Sequence, residues 1–394
     1  MSTPTRFIFG GGGTGGHLYP GLAIWREIQS LDPSATALFL CSAKPLDAEL
    51  LKTAGLQVRR LSEPTLPNDP RIPATFTAIP AKAFGIRPVA LWRFLKGWGP
   101  SIRLARAAVQ RARSEGTRPI VVAMGGYVAA PVVQAARAEK TPRVLVNLDA
   151  VPGKANTWIA RHADLRLTAA DSSMVPAAWE RLPPIVRRGA ARAGSPEQAR
   201  VALGLAPDRP TLVVTGGSQG AGSLNNFVTA FAERHAGPLR EGRWQVLHQT
   251  GKGEVEQCQS AYARAGVDSV VVPFITDMAS AWGAATLAVA RCGANTVAEL
   301  WSNRVPALLL PYPYHKDEHQ KFNAEPLERC GGALVCKDHI DPAKNLSEHV
   351  NDLLRLVQDP RRLDAMRAAL QSLGPTDGAA RVAKRLLDLA KSAR

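Results

Sequence analysis

Twice along this chain of 394 residues, a short apolar run breaks into glycines and resumes as an amphipathic stretch. The first run is Phe7–Phe9, followed by Gly10, Gly11, Gly12, Gly13, Thr14, Gly15, Gly16 and His17. The second is Leu212–Thr215, followed by Gly216, Gly217, Ser218, Gln219, Gly220 and Ala221. A strand buried on both faces of a parallel sheet reads as such an apolar run, and its crossover is a helix. Glycine in the turn permits positive φ and close backbone approach to a ligand. The N-terminus of the next helix then favours an anion. Two such turns predict two α/β units, each with its own anion-binding corner.

The rest of the pattern fits. Leu38–Cys41, Ile120–Met124 and Val144–Val146 read as further strands of the first series, with amphipathic stretches at Leu22–Leu31 and Ile102–Arg113. Gln245–His248, Val270–Val272, Leu287–Ala290 and Ala307–Leu310 continue the second. Helical patterns at Leu224–Arg234, Val255–Ala265, Thr296–Ser302 and Gln320–Cys330 separate them. Strand–helix alternation with right-handed crossovers predicts two Rossmann-like, doubly wound domains facing one cleft. The length suits two domains. The expected division is 1–186 and 187–377, with a linker at Leu182–Ala206 rich in Pro, Gly, Ala and Arg. Gly378–Ser392 reads as a basic amphipathic helix able to pack back on the first domain.

Charge narrows the partners. A net charge of +16 favours a nucleic acid, a phospholipid surface or a phosphorylated substrate. No nucleic-acid module is evident, and only five tyrosines are present, which argues against the first. Cys41, Cys258, Cys292, Cys330 and Cys336 form no C-x-x-C pair and no ligand-spaced cluster with histidine. Neither a zinc site nor a disulfide framework is expected from them. The N-terminus lacks the apolar region of a signal peptide. No stretch reaches the roughly 18 apolar residues of a membrane span. The expectation is a chain that lies on a membrane without crossing it, or is soluble.

The glycine turns carry the chemistry. The first lacks the Lys-Ser/Thr of a P-loop. Asp32, before Pro33 at a helix end, is poorly placed for the acidic residue of a dinucleotide site, which argues against a nicotinamide oxidoreductase. Pro20 can start the helix after the turn. His17, at its mouth, can act as a general base near neutral pH or cap the helix. Gly125, Gly126 and Tyr127 form a third turn after Ile120–Met124. Arg291–Glu299 runs from a strand through small residues into a helix, where Glu299 can accept ribose hydroxyls or pair with the helix dipole. Pro311–Gln320 and Asn323 form a polar loop at a strand end, where open α/β sheets bind ligands.

Together these segments resemble the MurG family, which transfers N-acetylglucosamine from UDP-N-acetylglucosamine to lipid I, forming lipid II for peptidoglycan. The matching segments are Gly12–His17, Met124–Pro131, Gly216–Ala221, His248–Glu254, Pro273–Met278, Cys292–Glu299 and His315–Glu328. The resemblance implies the GT-B fold and inverting transfer without metal or cofactor. The first domain would face acceptor and membrane, and the second would bind the UDP-sugar. Donor-binding residues would be Arg187, Ser218, Gln219, Gly220, Ile275, Ala294, Glu299, His319 and Gln320. Among them Glu299 would hold the ribose, Ile275 the uracil, and Arg187 with Ser218 the diphosphate, while His319 and Gln320 would reach the sugar. Thr14, His17, Gly13, Gly15, Gly16, Gly125, Gly126, Tyr127, Asn147 and Asp149 would face the acceptor. His17 would be the base, or bind phosphate only.

One segment departs from the family. Asn147-Leu148-Asp149-Ala150 stands where the family has His-Glu-Gln-Asn. Asn147, Asp149 or Asn156 compensates, or the acceptor differs, or activity is reduced. Another lipid such as diacylglycerol, or a catalytically silent UDP-sugar-binding protein of cell-wall assembly, fits that departure. Over Ile79–Arg113, Ile86, Leu91, Trp92, Phe94, Leu95 and Trp98 interleave with Lys82, Arg87, Arg93, Lys96, Arg103 and Arg106. This pattern suits an anionic bilayer, or a core helix with a basic outer face. The resemblance implies docking at the cytoplasmic face of the inner membrane and contact with cell-wall assembly proteins.

Overall fold

The computed structural model describes residues 3–13, 15–59, 73–85, 87–192, 194–217, 220–314 and 317–392. Thr14, Ile86, Ser218 and Gln219, all expected at functional positions, lie outside them. Contacts divide the chain into two units, Met1–Ile185 with Asp377–Arg394, and Val186–Thr376.

In the first unit the strands are β1 (Thr5–Gly10), β2 (Thr36–Ser42), β3 (Gln57–Val58), β4 (Ala74–Ile79), β5 (Arg118–Ala123), β6 (Arg143–Asn147), β7 (Leu165–Thr168) and β8 (Glu180–Arg181). They form one parallel sheet in the order β3-β4-β2-β1-β5-β6-β7-β8. The helices are α1 (Gly15–Leu31), α2 (Pro45–Thr53), α3 (Pro88–Ser114), α4 (Gly126–Ala138) and α5 (Lys154–Ala160). Phe9 stacks on Phe39 across neighbouring strands at 4.7 Å, and Ile24, Trp25 and Ile28 of α1 complete that core. Each such side chain contributes about 1.5–3 kcal/mol by leaving water.

In the second unit α6 (Pro196–Ala202) precedes β9 (Thr211–Thr215), α7 (Gly222–Arg234), α8 (Ala236–Glu241) and β10 (Gln245–Gln249). There follow α9 (Val255–Ala265), β11 (Ser269–Val272), α10 (Met278–Ala284), β12 (Leu287–Ala290), α11 (Ala294–Asn303) and β13 (Ala307–Leu309). The unit closes with α12 (His319–Arg329), β14 (Ala333–Val335), α13 (Pro342–Gln358) and α14 (Pro360–Gln371). The sheet is parallel in the order β11-β10-β9-β12-β13-β14. Two apolar layers cover its faces, one around Phe227, Phe231 and Tyr262, the other around Trp282, Leu300 and Leu327.

The last helix, α15 (Gly378–Ser392), belongs to the first unit and packs on α1. Gly378 makes the return possible: a Cβ there would fall 2.0 Å from the Pro183 carbonyl. Arg385 then pairs with Glu180, and Arg118 donates to the Ala390 carbonyl at 2.7 Å.

Two expectations are corrected. Helix α1 starts at Gly15, so Pro20 lies inside it rather than at its first turn. The expected linker holds α6, because Ser195 caps it and Gln198 closes a capping box, with Pro196 at the first helical position. Local capping overrides a composition that reads as a loop.

Candidate functional site

Each sheet has one topological switch point, where the strand order reverses and ligands bind outside the strand ends. In the first unit it lies between β1 and β5, so the turns after these two strands are neighbours. Met124 N–H donates to the Gly10 carbonyl at 2.8 Å, which fixes the two corners together.

His17 sits between them. Gly125 and Gly126 adopt φ of 101° and 74°. A Cβ on Gly126 would come 2.9 Å from His17 Cε1, and one on Gly125 would come 3.3 Å from His17 Cδ2. These glycines therefore make room for the imidazole as well as turning the chain. His17 Nδ1 is buried and makes no hydrogen bond. Burial lowers the pKa of His17, opposed by the charge of Asp149, the Gly12 carbonyl and the charge of Asp47. Burial thus favours the neutral ring, the form that can accept a proton.

Asp47, which the sequence reading did not single out, clamps the glycine turn. It is fully buried at the start of α2. Its Oδ2 accepts from Gly13 N–H at 2.7 Å, Ser42 Oγ at 2.6 Å and Ser42 N–H at 3.1 Å. Lys44 Nζ donates to the Gly13 carbonyl at 2.7 Å. Both peptide groups of Gly13, expected at the acceptor, are therefore engaged within the protein. Gly13 contributes shape: at φ 91°, a Cβ would fall 2.6 Å from the Tyr127 hydroxyl. Gly15 and Gly16 are the first residues of α1.

Asn147 is fully buried at the end of β6. Its Nδ2 donates to the Asp149 carbonyl at 2.8 Å and to Thr168 Oγ1 at 3.1 Å, and its Oδ1 accepts from Asn156 Nδ2 at 2.8 Å. Its amide is spent internally, so Asn147 positions its neighbours rather than reaching outward. Asn156 Oδ1 is buried without a partner and lies 2.9 Å from where a Gly125 Cβ would be. His17, Gly125 and Asn156 thus share one corner, with Asp149 held by the same network.

In the second unit the switch point lies between β9 and β12. Gly217 and Gly220 take φ of 81° and 75°. A Cβ on Gly220 would meet the Thr250 carbonyl at 2.3 Å. Gln249 ties the turn to the next loop: its Nε2 donates to the Gly217 carbonyl at 2.8 Å, and its Oε1 accepts from Ile275 N–H at 2.8 Å. The Ile275 side chain, expected at the uracil, is buried in the core.

Glu299 lies on α11, behind Ala294 at the helix start. It is buried, and its two oxygens accept from Arg187 Nε at 3.1 Å and Trp282 Nε1 at 2.8 Å. Burial raises its pKa, opposed by Arg187 and the Trp282 hydrogen bond. The structure thus brings together Arg187 and Glu299, which are 112 positions apart. His319 opens α12, with Nδ1 at 2.8 Å from Asp317 Oδ1; Gln320 Oε1 accepts from Tyr312 N–H at 2.9 Å. The polar loop after β13 is therefore braced by the residues expected at the sugar.

Of the expected membrane residues, Trp92 and Leu95 of α3 are 59% and 61% exposed, and Leu91 is also exposed. Lys96 lies over the Trp92 ring at 4.8 Å. Phe94 and Trp98 are half-buried instead, in an aromatic row running from Phe84 to Trp158. Among the described residues no helix is long and apolar enough to cross a membrane.

Two parallel α/β sheets with glycine turns at both switch points are the units of the GT-B fold, and the family matches make the chain a glycosyltransferase. Residues 7–167 match the N-terminal domain of glycosyltransferase family 28, and residues 211–382 match its C-terminal domain. Two relatives are named UDP-N-acetylglucosamine–N-acetylmuramyl-(pentapeptide) pyrophosphoryl-undecaprenol N-acetylglucosamine transferase. That of Nocardioides sp. is 34% identical over 98% of both chains. That of Halorhodospira halophila is 35% identical over 94% of this chain and 95% of the relative. The crystal structure of Acinetobacter baumannii MurG shares the fold at a TM-score of 0.69 and 24% identity, covering 98% of this chain and all of that one (100%). CalG4, the calicheamicin glycosyltransferase, does so at 0.60 and 16%, covering 98% of each. The chain belongs to the MurG family of glycosyltransferase family 28.

Proposed function

We propose that this enzyme transfers N-acetylglucosamine from UDP-N-acetylglucosamine to the 4-hydroxyl of the muramoyl sugar of undecaprenyl-linked lipid I, forming lipid II. The observation that carries this reading is the near-full-length identity to relatives of that activity, joined to glycine turns at both switch points. The second unit binds the donor. The N-terminal end of α11 and the glycine turn after β9 supply partial positive charge for the departing diphosphate. Arg187 adds a full charge, with Glu299 fixing its guanidinium and turning to the ribose. The first unit binds the acceptor, where neutral His17 takes the hydroxyl proton as the oxygen attacks the anomeric carbon. Inversion follows from that single displacement.

The exposed Leu91, Trp92 and Leu95, set among basic residues, dock the first unit on the anionic cytoplasmic face of the inner membrane. Replacement of the family's acidic position by Leu148 favours a second reading, in which the acceptor is another lipid. Release of UDP from UDP-N-acetylglucosamine, with and without a lipid I analogue, tests both. Lipid I-dependent release supports lipid II synthesis. Release with diacylglycerol alone replaces it with the second reading.

A further inference from the structure

A group of metal-ligating side chains lies at the end of β14, a part of the second unit to which the transfer assigns nothing. Cys336 follows directly on β14, and His349 and Asp352 stand three residues apart on one face of α13. One ligand atom from each lies within 4.8 Å of the others. Cys336 and His349 are buried and Asp352 is half-buried, so the group opens to solvent on the carboxylate side. The mounting is rigid. His339 N–H donates to Asn345 Oδ1 at 2.8 Å, and Asn345 Nδ2 donates to Asp338 Oδ1 at 2.8 Å, which pins the loop after Cys336 to α13.

The chemistry of this set points to a cation. The Lys337 carbonyl lies 2.7 Å from His349 Nε2 and accepts its N–H. That bond orients the ring and leaves its other nitrogen as the candidate ligand atom, an outer-shell arrangement common in metal sites. The His339 ring stacks on His349 at 6.0 Å, and His339 Nε2 stands 2.5 Å from Glu348 Oε2. The carboxylates of Asp352, Glu348 and Glu328 all lie near the Cys336 thiol. In a chain of net charge +16, this corner instead gathers carboxylates around a thiol. A thiolate, an imidazole and a carboxylate are a zinc-type donor set.

We propose that Cys336, His349 and Asp352 form a zinc-class divalent-cation site, with water in the fourth position. Tetrahedral zinc sets such atoms about 3.5 Å apart, so binding draws the three together by at most about 1.3 Å. The cation ties the end of β14 to α13 and takes no part in the transfer.

The test uses the full chain, stripped with chelator and titrated with Co²⁺, then competed with Zn²⁺. One equivalent of Co²⁺ should bind, with a near-ultraviolet thiolate-to-cobalt band that Zn²⁺ abolishes. Cys336→Ser should lose the band, while Cys330→Ser keeps it. Asp352→Asn, at a half-buried position that tolerates the change, should keep the band and bind on the order of tenfold more weakly. Cobalt uptake without a thiolate band, or a band that survives Cys336→Ser, overturns the proposal. So does an Asp352→Asn variant of unchanged affinity.

Discussion

Replacing Gly126 by alanine separates the two jobs assigned to that glycine. Its φ is 74°, so any side chain there meets left-handed strain of about 1–2 kcal/mol. Its Cβ would also fall 2.9 Å from His17 Cε1. Ordinary carbon contacts lie at about 3.5–4.0 Å, so the imidazole must move by roughly 0.5–1 Å. A misplacement of that size costs a positioned catalytic group about 10²-fold in rate. Gly116 supplies the control. Its φ is 71°, and its Cβ would meet nothing within 4 Å. Gly116→Ala therefore carries the backbone strain without the contact. Both variants should lower the melting temperature by about 2–8 °C. Only Gly126→Ala should lower acceptor-dependent UDP release about 10²-fold, with calorimetric affinity for UDP-N-acetylglucosamine unchanged. If Gly126→Ala turns over like Gly116→Ala, the position of His17 does not matter and its role as base is wrong.

Glu299→Ala removes the buried acceptor of the Trp282 indole and one partner of Arg187, a loss of about 1–3 kcal/mol. Urea unfolding should show it, and donor affinity should fall; Glu299→Gln, still able to accept from Trp282, should lose less of both. His248 is buried between Tyr262 and Asn225, with a pKa pushed down to about 3. The unfolded chain takes up a proton below about pH 6.5 that folded His248 refuses. Its contribution to stability is therefore full above pH 6.5 and falls by about 1.4 kcal/mol per pH unit as pH drops towards 3. Unfolding in urea at pH 7 and pH 5 should differ by about 2 kcal/mol on this account, and His248→Gln should flatten the difference. The double variant Trp92→Ala, Leu95→Ala should bind anionic vesicles at least about tenfold more weakly in a sedimentation assay. Its melting temperature should not change, because both side chains are exposed.

Strands β1, β5, β9 and β12 were legible because a strand buried on both faces leaves a nearly unbroken apolar signal. Short edge strands such as β3 and β8 left none, because two residues carry no periodicity. The glycine turns announced themselves through composition, yet what they accommodate did not. Gly126 clears space for His17, which precedes it by more than a hundred positions. Asp47 was invisible for a related reason: it is one acidic residue near a helix start, and only the fold brings it to Gly13. Gln249 falls within a segment that matches the family, but its bridge between the Gly217 turn and Ile275 is a tertiary fact. Asn147 was expected at the acceptor because it opens the segment that departs from the family, whereas its amide is consumed by Asp149, Thr168 and Asn156. The Cys336 and His349 pair escaped notice because its spacing belongs to a strand end and a helix face, not to a short motif.

Helix α15 carries a consequence for the order in which the protein is made. The second unit is one uninterrupted stretch, Val186–Thr376. It leaves the ribosome whole while the first unit still waits for its last piece. The helix that packs on α1 and accepts from Arg118 is synthesised only after the second unit is complete. Of the two units, the one whose strands are made first is therefore the one completed last. A premature stop that removes only α15 strips the N-terminal unit of a layer and leaves the C-terminal one untouched.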